Sequence, residues 1–122
     1  MERTNQSDRR NFARFEILDY AMVNKVADES TVRSVVVDVS LGGCQIRSRE
    51  QFEPGTKYVL SIGRGNNSPV SIQAEARYSK LMEDCDLYAT GFKFSSGTEA
   101  ERMAWAEYVH EVFKEQGEML LG

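Results

Sequence analysis

The fold is decided by residues 31–47, which read TVRSVVVDVSLGGCQIR. Five valines fall within the first nine of these residues, and β-branched side chains in such a run favour a well-buried strand. The polar and glycine-containing segment 38–43 that follows is typical of a tight turn. Apolar and polar residues then alternate over 44–47, which is the pattern of a half-buried strand. The stretch therefore predicts a β-hairpin.

Further strands are predicted on both sides of this hairpin. They lie at about residues 15–26, 58–62, 70–79 and 87–94. The connecting segments carry turn signals, namely Pro54-Gly55, the polar run 63–69 and the acidic run 83–86. Six short strands favour a mainly β fold that closes into an antiparallel barrel, because closure removes exposed sheet edges.

A single helix is predicted near the C-terminus, over residues 98–117. Thr98 and Glu101 have the spacing of a capping box, in which hydroxyl and carboxylate satisfy free N–H groups at a helix start. Gly117 is the expected stop signal. One apolar stripe follows the helical period and consists of Trp105, Tyr108, Val109, Val112 and Phe113. We expect this stripe to pack against the barrel of residues 15–97, so that barrel and helix form one domain.

Residues 1–14 differ from the rest of the chain in charge and pattern. They hold four arginines and two acidic residues, which leaves +2 there and −6 elsewhere in a chain of net charge −4. They lack an apolar period and are expected to form a mobile arm. An acidic globule with a basic arm lacks the broad positive face that non-specific nucleic-acid binding needs. A small anionic ligand is favoured instead.

Two clusters of residues carry candidate binding chemistry. Arg9, Arg10 and Arg14 lie within six residues of the arm. A guanidinium group donates two parallel hydrogen bonds to phosphate oxygens or to the O6 and N7 edge of guanine. The second cluster is the turn 38–43, where short polar side chains bond local backbone and a glycine can adopt positive φ. Each cluster alone also fits a structural interpretation, as a solvated basic terminus or an ordinary hairpin turn.

Taken together, the two clusters resemble the signatures of the PilZ domain family, which are RxxxR in an N-terminal arm and (D/N)xSxxG after an early strand. The first is matched by Arg10-Asn11-Phe12-Ala13-Arg14 and the second by Asp38-Val39-Ser40-Leu41-Gly42-Gly43. Gly91-Phe92-Lys93-Phe94 is similar to the last strand of the family. The resemblance covers nearly the whole chain. It implies a six-stranded antiparallel β-barrel that binds cyclic di-GMP, with a C-terminal α-helix packed against it.

The resemblance also implies roles for individual residues. Arg10 and Arg14 would contact guanine and phosphate. Asp38 and Ser40 would bond the second guanine edge and position it, and Gly43 would shape the turn.

Two further residues are ligand-binding candidates. By resemblance, an arginine at the position of Arg9 goes with two intercalated ligands per chain rather than one. Tyr78 is expected at a strand end and could stack on an exposed base, with a plain core or rim aromatic as the alternative.

The function that the resemblance implies is that of a bacterial second-messenger receptor or adaptor. Its arm would order when the ligand binds and would change a protein-interaction surface. The alternative is a PilZ-like interaction module that does not bind nucleotide. The downstream protein partner is left open.

Other functional classes have little support in the residues. The sole histidine, His110, has no nucleophile or metal partner nearby in sequence, so no enzyme is expected. Cys44 and Cys85 lack metal-ligand spacing, and the acidic run 83–86 lacks a calcium-loop pattern, so neither metal nor cofactor is expected. No apolar run approaches the roughly 20 residues of a membrane helix. We expect a cytoplasmic protein with no DNA, RNA or membrane partner.

Overall fold

The computed structural model describes residues 15–27, 29–63, 68–95 and 97–121, and the side chains of those that lie between 19 and 115. The strands are β1 (Phe15–Lys25), β2 (Thr31–Ser40), β3 (Gly43–Ser48), β4 (Lys57–Gly63), β5 (Val70–Leu81) and β6 (Tyr88–Phe94). One helix follows them, α1 (Glu99–Leu121). The predicted mainly β class with a C-terminal helix is confirmed.

The six strands form a closed antiparallel barrel in the order β1-β2-β3-β6-β5-β4, and β4 pairs back with β1. Each strand therefore has two hydrogen-bonded neighbours, and the sheet presents no free edge. The strand pairing is interrupted by irregularities between Glu16 and Asp19, between Val36 and Asp38, and between Ala76 and Tyr78. Such bulges bend a strand and increase its twist, which a small barrel needs in order to close.

The barrel interior is filled by the inward-facing side chains of all six strands. The fully buried members include Val23, Val36, Val39, Ile46, Leu60, Ile62 and Ala74. Phe52, from the connection between β3 and β4, is only 1% exposed. Its ring centroid lies 5.2 Å from that of Tyr58 and 5.7 Å from that of Phe92. This connection covers the end of the barrel where β1 finishes.

Helix α1 packs at the opposite end of the barrel, where β1 begins and β2 finishes. The predicted capping box is present, because Thr98 N donates to Glu101 Oε1 and Glu101 N donates to Thr98 Oγ1, each at 3.1 Å. The Trp105 ring meets the Phe94 ring edge-on at 4.5 Å. The buried hydroxyl of Tyr108 donates to Asp19 Oδ2 at 2.5 Å. These contacts join the helix to β6 and β1.

Two details of the predicted helix are wrong. The helix continues past Gly117 to Leu121. A glycine inside a helix costs about 1 kcal/mol relative to alanine, which weakens a helix but does not have to end it. Phe113 was expected in the packed stripe but is 56% exposed, whereas Val112 beside it is fully buried. The stripe is narrower than its sequence period indicates.

No helix among the described residues is long and apolar enough to cross a membrane.

Candidate functional site

The turn between β2 and β3 is fixed by hydrogen bonds from buried side chains. Ser40 is 5% exposed, and its hydroxyl donates to the Gly43 carbonyl oxygen at 3.4 Å. The indole Nε1 of Trp105 donates to the Ser40 carbonyl oxygen at 2.8 Å. The hydroxyl that was predicted to position a guanine therefore already has a contact within the turn. Its role towards a ligand stays a prediction.

Gly43 is required by the close approach of β3 to β6. A Cβ atom at this position would overlap the Phe92 carbonyl oxygen and lie 3.2 Å from its carbonyl carbon. Both atoms belong to the backbone, so they cannot move aside as a flexible side chain would. Among the described glycines, only Gly55 has a positive φ. The expectation that a turn glycine adopts positive φ is therefore wrong for residues 42 and 43, and Gly43 contributes space rather than conformational freedom.

Four residues form a row across the outer surface of the barrel. The register pairs Asp38 with Gln45, Gln45 with Gly91, and Gly91 with Tyr78, so that β2, β3, β6 and β5 each contribute one residue. Directly paired residues present their side chains on the same face of a sheet. Because Cys44 and Ile46 are buried, Gln45 between them faces outward. We call this set, Asp38, Gln45, Gly91 and Tyr78, the outer row.

The tyrosine side chain of the outer row covers the glycine. A Cβ atom on Gly91 would overlap the Tyr78 ring and fall 2.6 Å from its Cζ. Tyr78 is 39% exposed, so its side chain covers Gly91 on β6 and stays partly open to solvent. Tyr78 was expected at a strand end, but it lies three residues before the end of β5 at Leu81. The exposed part of the ring is accessible to a base, and the stacking of a base on Tyr78 stays a prediction.

Hydrogen bonds connect the outer row to a neighbouring arginine. Gln45 Nε2 donates to the Tyr78 hydroxyl at 2.9 Å. Arg47 donates to Gln45 Oε1 from Nε at 3.3 Å and from Nη2 at 3.2 Å. The amide thus orients a phenol on β5 and a guanidinium on β3. Sequence reasoning assigned no role to Gln45, Arg47 or Gly91, although the alternation after the turn already placed the first two on the outer face.

A depression of about 610 Å³ lies beside Arg47 on the outer surface of β2 and β3. Arg33, Arg47 and Arg49 line it, together with Ser34, Val35, Val37, Ser48 and Leu87. None of these described lining residues is acidic. We call it the arginine depression.

The arm itself cannot be compared with its prediction, because Arg9, Arg10 and Arg14 lie outside the described residues. The described chain begins with Phe15, which pairs with Val39, and Glu16 pairs with Asp38. The first strand therefore starts beside the second sequence signature.

A slightly larger groove of about 650 Å³ runs between α1 and the start of β5. Its helical wall carries Glu107, Glu111 and Glu115. Three carboxylates disfavour an anionic ligand, so this groove fits the predicted ligand poorly. The described residues contain no cluster of histidine, cysteine or acidic side chains able to hold a metal ion.

Comparison with known proteins matches residues 8–111 to the PilZ domain. The chain belongs to the PilZ domain family. No curated protein matches it. The predicted family and barrel are confirmed.

Several solved PilZ structures share the fold at low sequence identity. The PilZ domain of YcgR from Escherichia coli with c-di-GMP is 17% identical, with a TM-score of 0.71 over 92% of this chain and 97% of that domain. YcgR from E. coli in complex with c-di-GMP is 20% identical, with a TM-score of 0.74 over 92% of this chain and 49% of that one. The Bacillus subtilis inhibitor of motility MotI/DgrA is 15% identical, with a TM-score of 0.69 over 88% of this chain and 51% of that one. This PilZ chain thus spans about half the length of those two larger proteins.

Proposed function

We propose that this PilZ domain is a receptor for cyclic di-GMP, which binds over the outer row and the turn beside it. The observation that carries the proposal is the outer row itself. It places the carboxylate of Asp38 and the partly open ring of Tyr78 on one face, next to the signature turn. Neighbours with the same fold have been solved with c-di-GMP bound, which supports the proposal.

The chemistry of the outer row suits a guanine base. A carboxylate accepts hydrogen bonds, and guanine offers adjacent N1 and N2 donors to it. An aromatic ring offers a face on which a base can stack, a contact worth about 1–3 kcal/mol per base in nucleic-acid complexes. Asp38 would read the edge of a guanine, and Tyr78 would stack on a base.

The arm supplies the other half of the proposed site. Arg14 is joined to Phe15 by one peptide bond, and adjacent Cα atoms are about 3.8 Å apart. Because Phe15 pairs with Val39, the arm meets the barrel beside the turn that carries Asp38 and Ser40. Arg10 and Arg14 would donate charge-assisted hydrogen bonds to phosphate and guanine, and Arg9 would support a second ligand.

Ordering of the arm provides a signalling output without catalysis. Fixing a segment costs conformational entropy, which the charge-assisted bonds must exceed. An arm folded across the ligand would create or cover a surface for a downstream protein. The MrkH neighbour from K. pneumonia is described as a c-di-GMP-dependent transcription regulatory factor, so the absence of a DNA partner stays a prediction for this chain.

Isothermal titration of the purified protein with cyclic di-GMP tests the proposal, with GTP and cyclic di-AMP as controls. We expect saturable heat for cyclic di-GMP at one or two ligands per chain and none for the controls. A flat titration up to high micromolar ligand, repeated by a second method, would reject the receptor function.

A second candidate function is an interaction module that does not bind nucleotide. It is favoured by the structural reasons for keeping Ser40 and Gly43, since one bonds within the turn and the other clears the β6 backbone. Their presence therefore does not depend on a ligand. The same titration separates the two functions.

A further inference from the structure

The arginine depression continues the outer row along the barrel. The next row of the sheet pairs Val35 with Arg47, Arg47 with Ala89, and Ala89 with Lys80. On β3 it lies two residues from Gln45, which corresponds to about 7 Å along a strand. A base and the phosphate of the same nucleotide can span such a separation.

The charge of the surface formed by this second row and the arginine depression is opposite to that of the protein as a whole. Outside the arm the chain carries −6, yet Arg33, Arg47, Arg49 and Lys80 lie together on this side of the barrel. No ion pair joins any of these four side chains to a carboxylate among the described residues. Like charges grouped without ion-pair partners raise the local positive potential, and an anion lowers their mutual repulsion.

The orientation of Arg47 within this group is set by hydrogen bonds to a neighbouring residue. Its Nε and Nη2 atoms both donate to Gln45 Oε1, and the side chain is half-buried. A guanidinium has five N–H donors, so the edge formed by its two terminal nitrogens keeps donors for a ligand. That edge suits two oxygens of a phosphate group.

We infer that the arginine depression binds a phosphate group of the cyclic dinucleotide, with Arg47 as the contacting residue and Gln45 as the residue that positions it. The inference rests on the proposed receptor function and extends the binding face beyond the two sequence signatures. It assigns the bases to the outer row and a phosphodiester to the row beside it.

The test compares R47A with K57A by titration with cyclic di-GMP. Lys57 is an exposed cation on β4, across the barrel from β3, and its side chain has no hydrogen bond or ion pair among the described residues. We expect R47A to raise Kd about tenfold, which corresponds to about 1.4 kcal/mol, and K57A to leave it unchanged. R47K keeps the positive charge but loses the two parallel N–H donors of the guanidinium, so its affinity should lie between those of R47A and the wild type.

Phosphorus NMR of the bound ligand separates a direct contact from an indirect effect through Gln45 and Tyr78. At saturating protein, R47A should move a phosphorus resonance of the bound ligand relative to the wild type, and K57A should not. Weaker binding by R47A with unchanged phosphorus resonances would overturn the inference, as would equal Kd values for R47A and K57A. Absence of binding by the wild-type protein would reject the receptor function and this inference with it.

Discussion

At the scale of the residue, the second signature combines structural roles, which the fold shows, with a binding role that we propose. Gly43 is fixed by the Phe92 backbone, and Ser40 is buried with its hydroxyl on the turn. Asp38 is half-buried and belongs to the outer row. The sequence was sufficient to find these three residues, because their spacing is local. It could not reveal Gln45 or Gly91 as their neighbours, because that proximity depends on the register between β3, β6 and β5.

Replacing Gly43 by alanine tests the requirement for space. We expect G43A to lower the free energy of unfolding by about 1–3 kcal/mol, because the new methyl group would collide with the β6 backbone. The measurement is chemical denaturation, with G55A as the comparison. Gly55 has a φ of 88° and open space around its Cβ position, so G55A tests backbone strain without a collision. If G43A is as stable as the wild type, β3 and β6 do not approach as closely as described.

Replacing Arg14 by alanine tests the arm. R14A should weaken cyclic di-GMP binding by about 1–3 kcal/mol, because it removes a charge-assisted hydrogen bond. The thermal midpoint of the ligand-free protein should stay almost unchanged. Titration and thermal unfolding of the same preparation measure both quantities, with R14K as a control that retains the charge. Unchanged affinity would contradict the proposed role of the arm.

At the scale of the element, α1 is the least accurately predicted part of the fold. Its start followed from a local capping signal at Thr98 and Glu101, and this prediction is confirmed. Its end and its buried face depend on tertiary packing, which the helical period alone does not specify. Trp105 and Val112 are buried while Phe113 is exposed, because the helix meets the barrel along a narrow line. Tertiary contacts outweigh local preference here.

The link between α1 and the signature turn is open to a specific test. W105F removes the hydrogen bond to the Ser40 carbonyl and leaves a small cavity, so it should lower the free energy of unfolding by about 1–3 kcal/mol. M103A on the same helix is the control, because Met103 is 58% exposed and its replacement should change stability by less than about 0.5 kcal/mol. Urea denaturation measures both. Equal stability of the two variants would show that the indole does not anchor the turn.

At the scale of the whole molecule, the main feature is the closure of the barrel. Strand pairing continues around the entire barrel, so the sheet has no unpaired edge strand. The sequence predicted this closure through the number and spacing of the strands. It did not predict which outer face would carry the cations, since that depends on the order β2-β3-β6-β5 around the barrel.

Hydrogen exchange with and without cyclic di-GMP tests the proposed ordering of the arm and the proposed location of the ligand. We expect the ligand to slow exchange in residues 1–14 and at the turn 40–43, because binding would order the first and cover the second. Amides within β4, on the far side of the barrel from β3, should exchange at the same rate in both states. Protection spread equally over all strands would indicate general stabilisation rather than ordering of the arm.

Trp105 is the only tryptophan in the chain, and its indole is buried with its N–H on the Ser40 carbonyl. Its fluorescence therefore arises from a single place, one hydrogen bond away from the signature turn. The emission of an indole depends on the electric field around it, and a bound polyanion would alter that field. The protein thus carries an intrinsic optical probe, and mixing it rapidly with nucleotide would give the association and dissociation rates without any label.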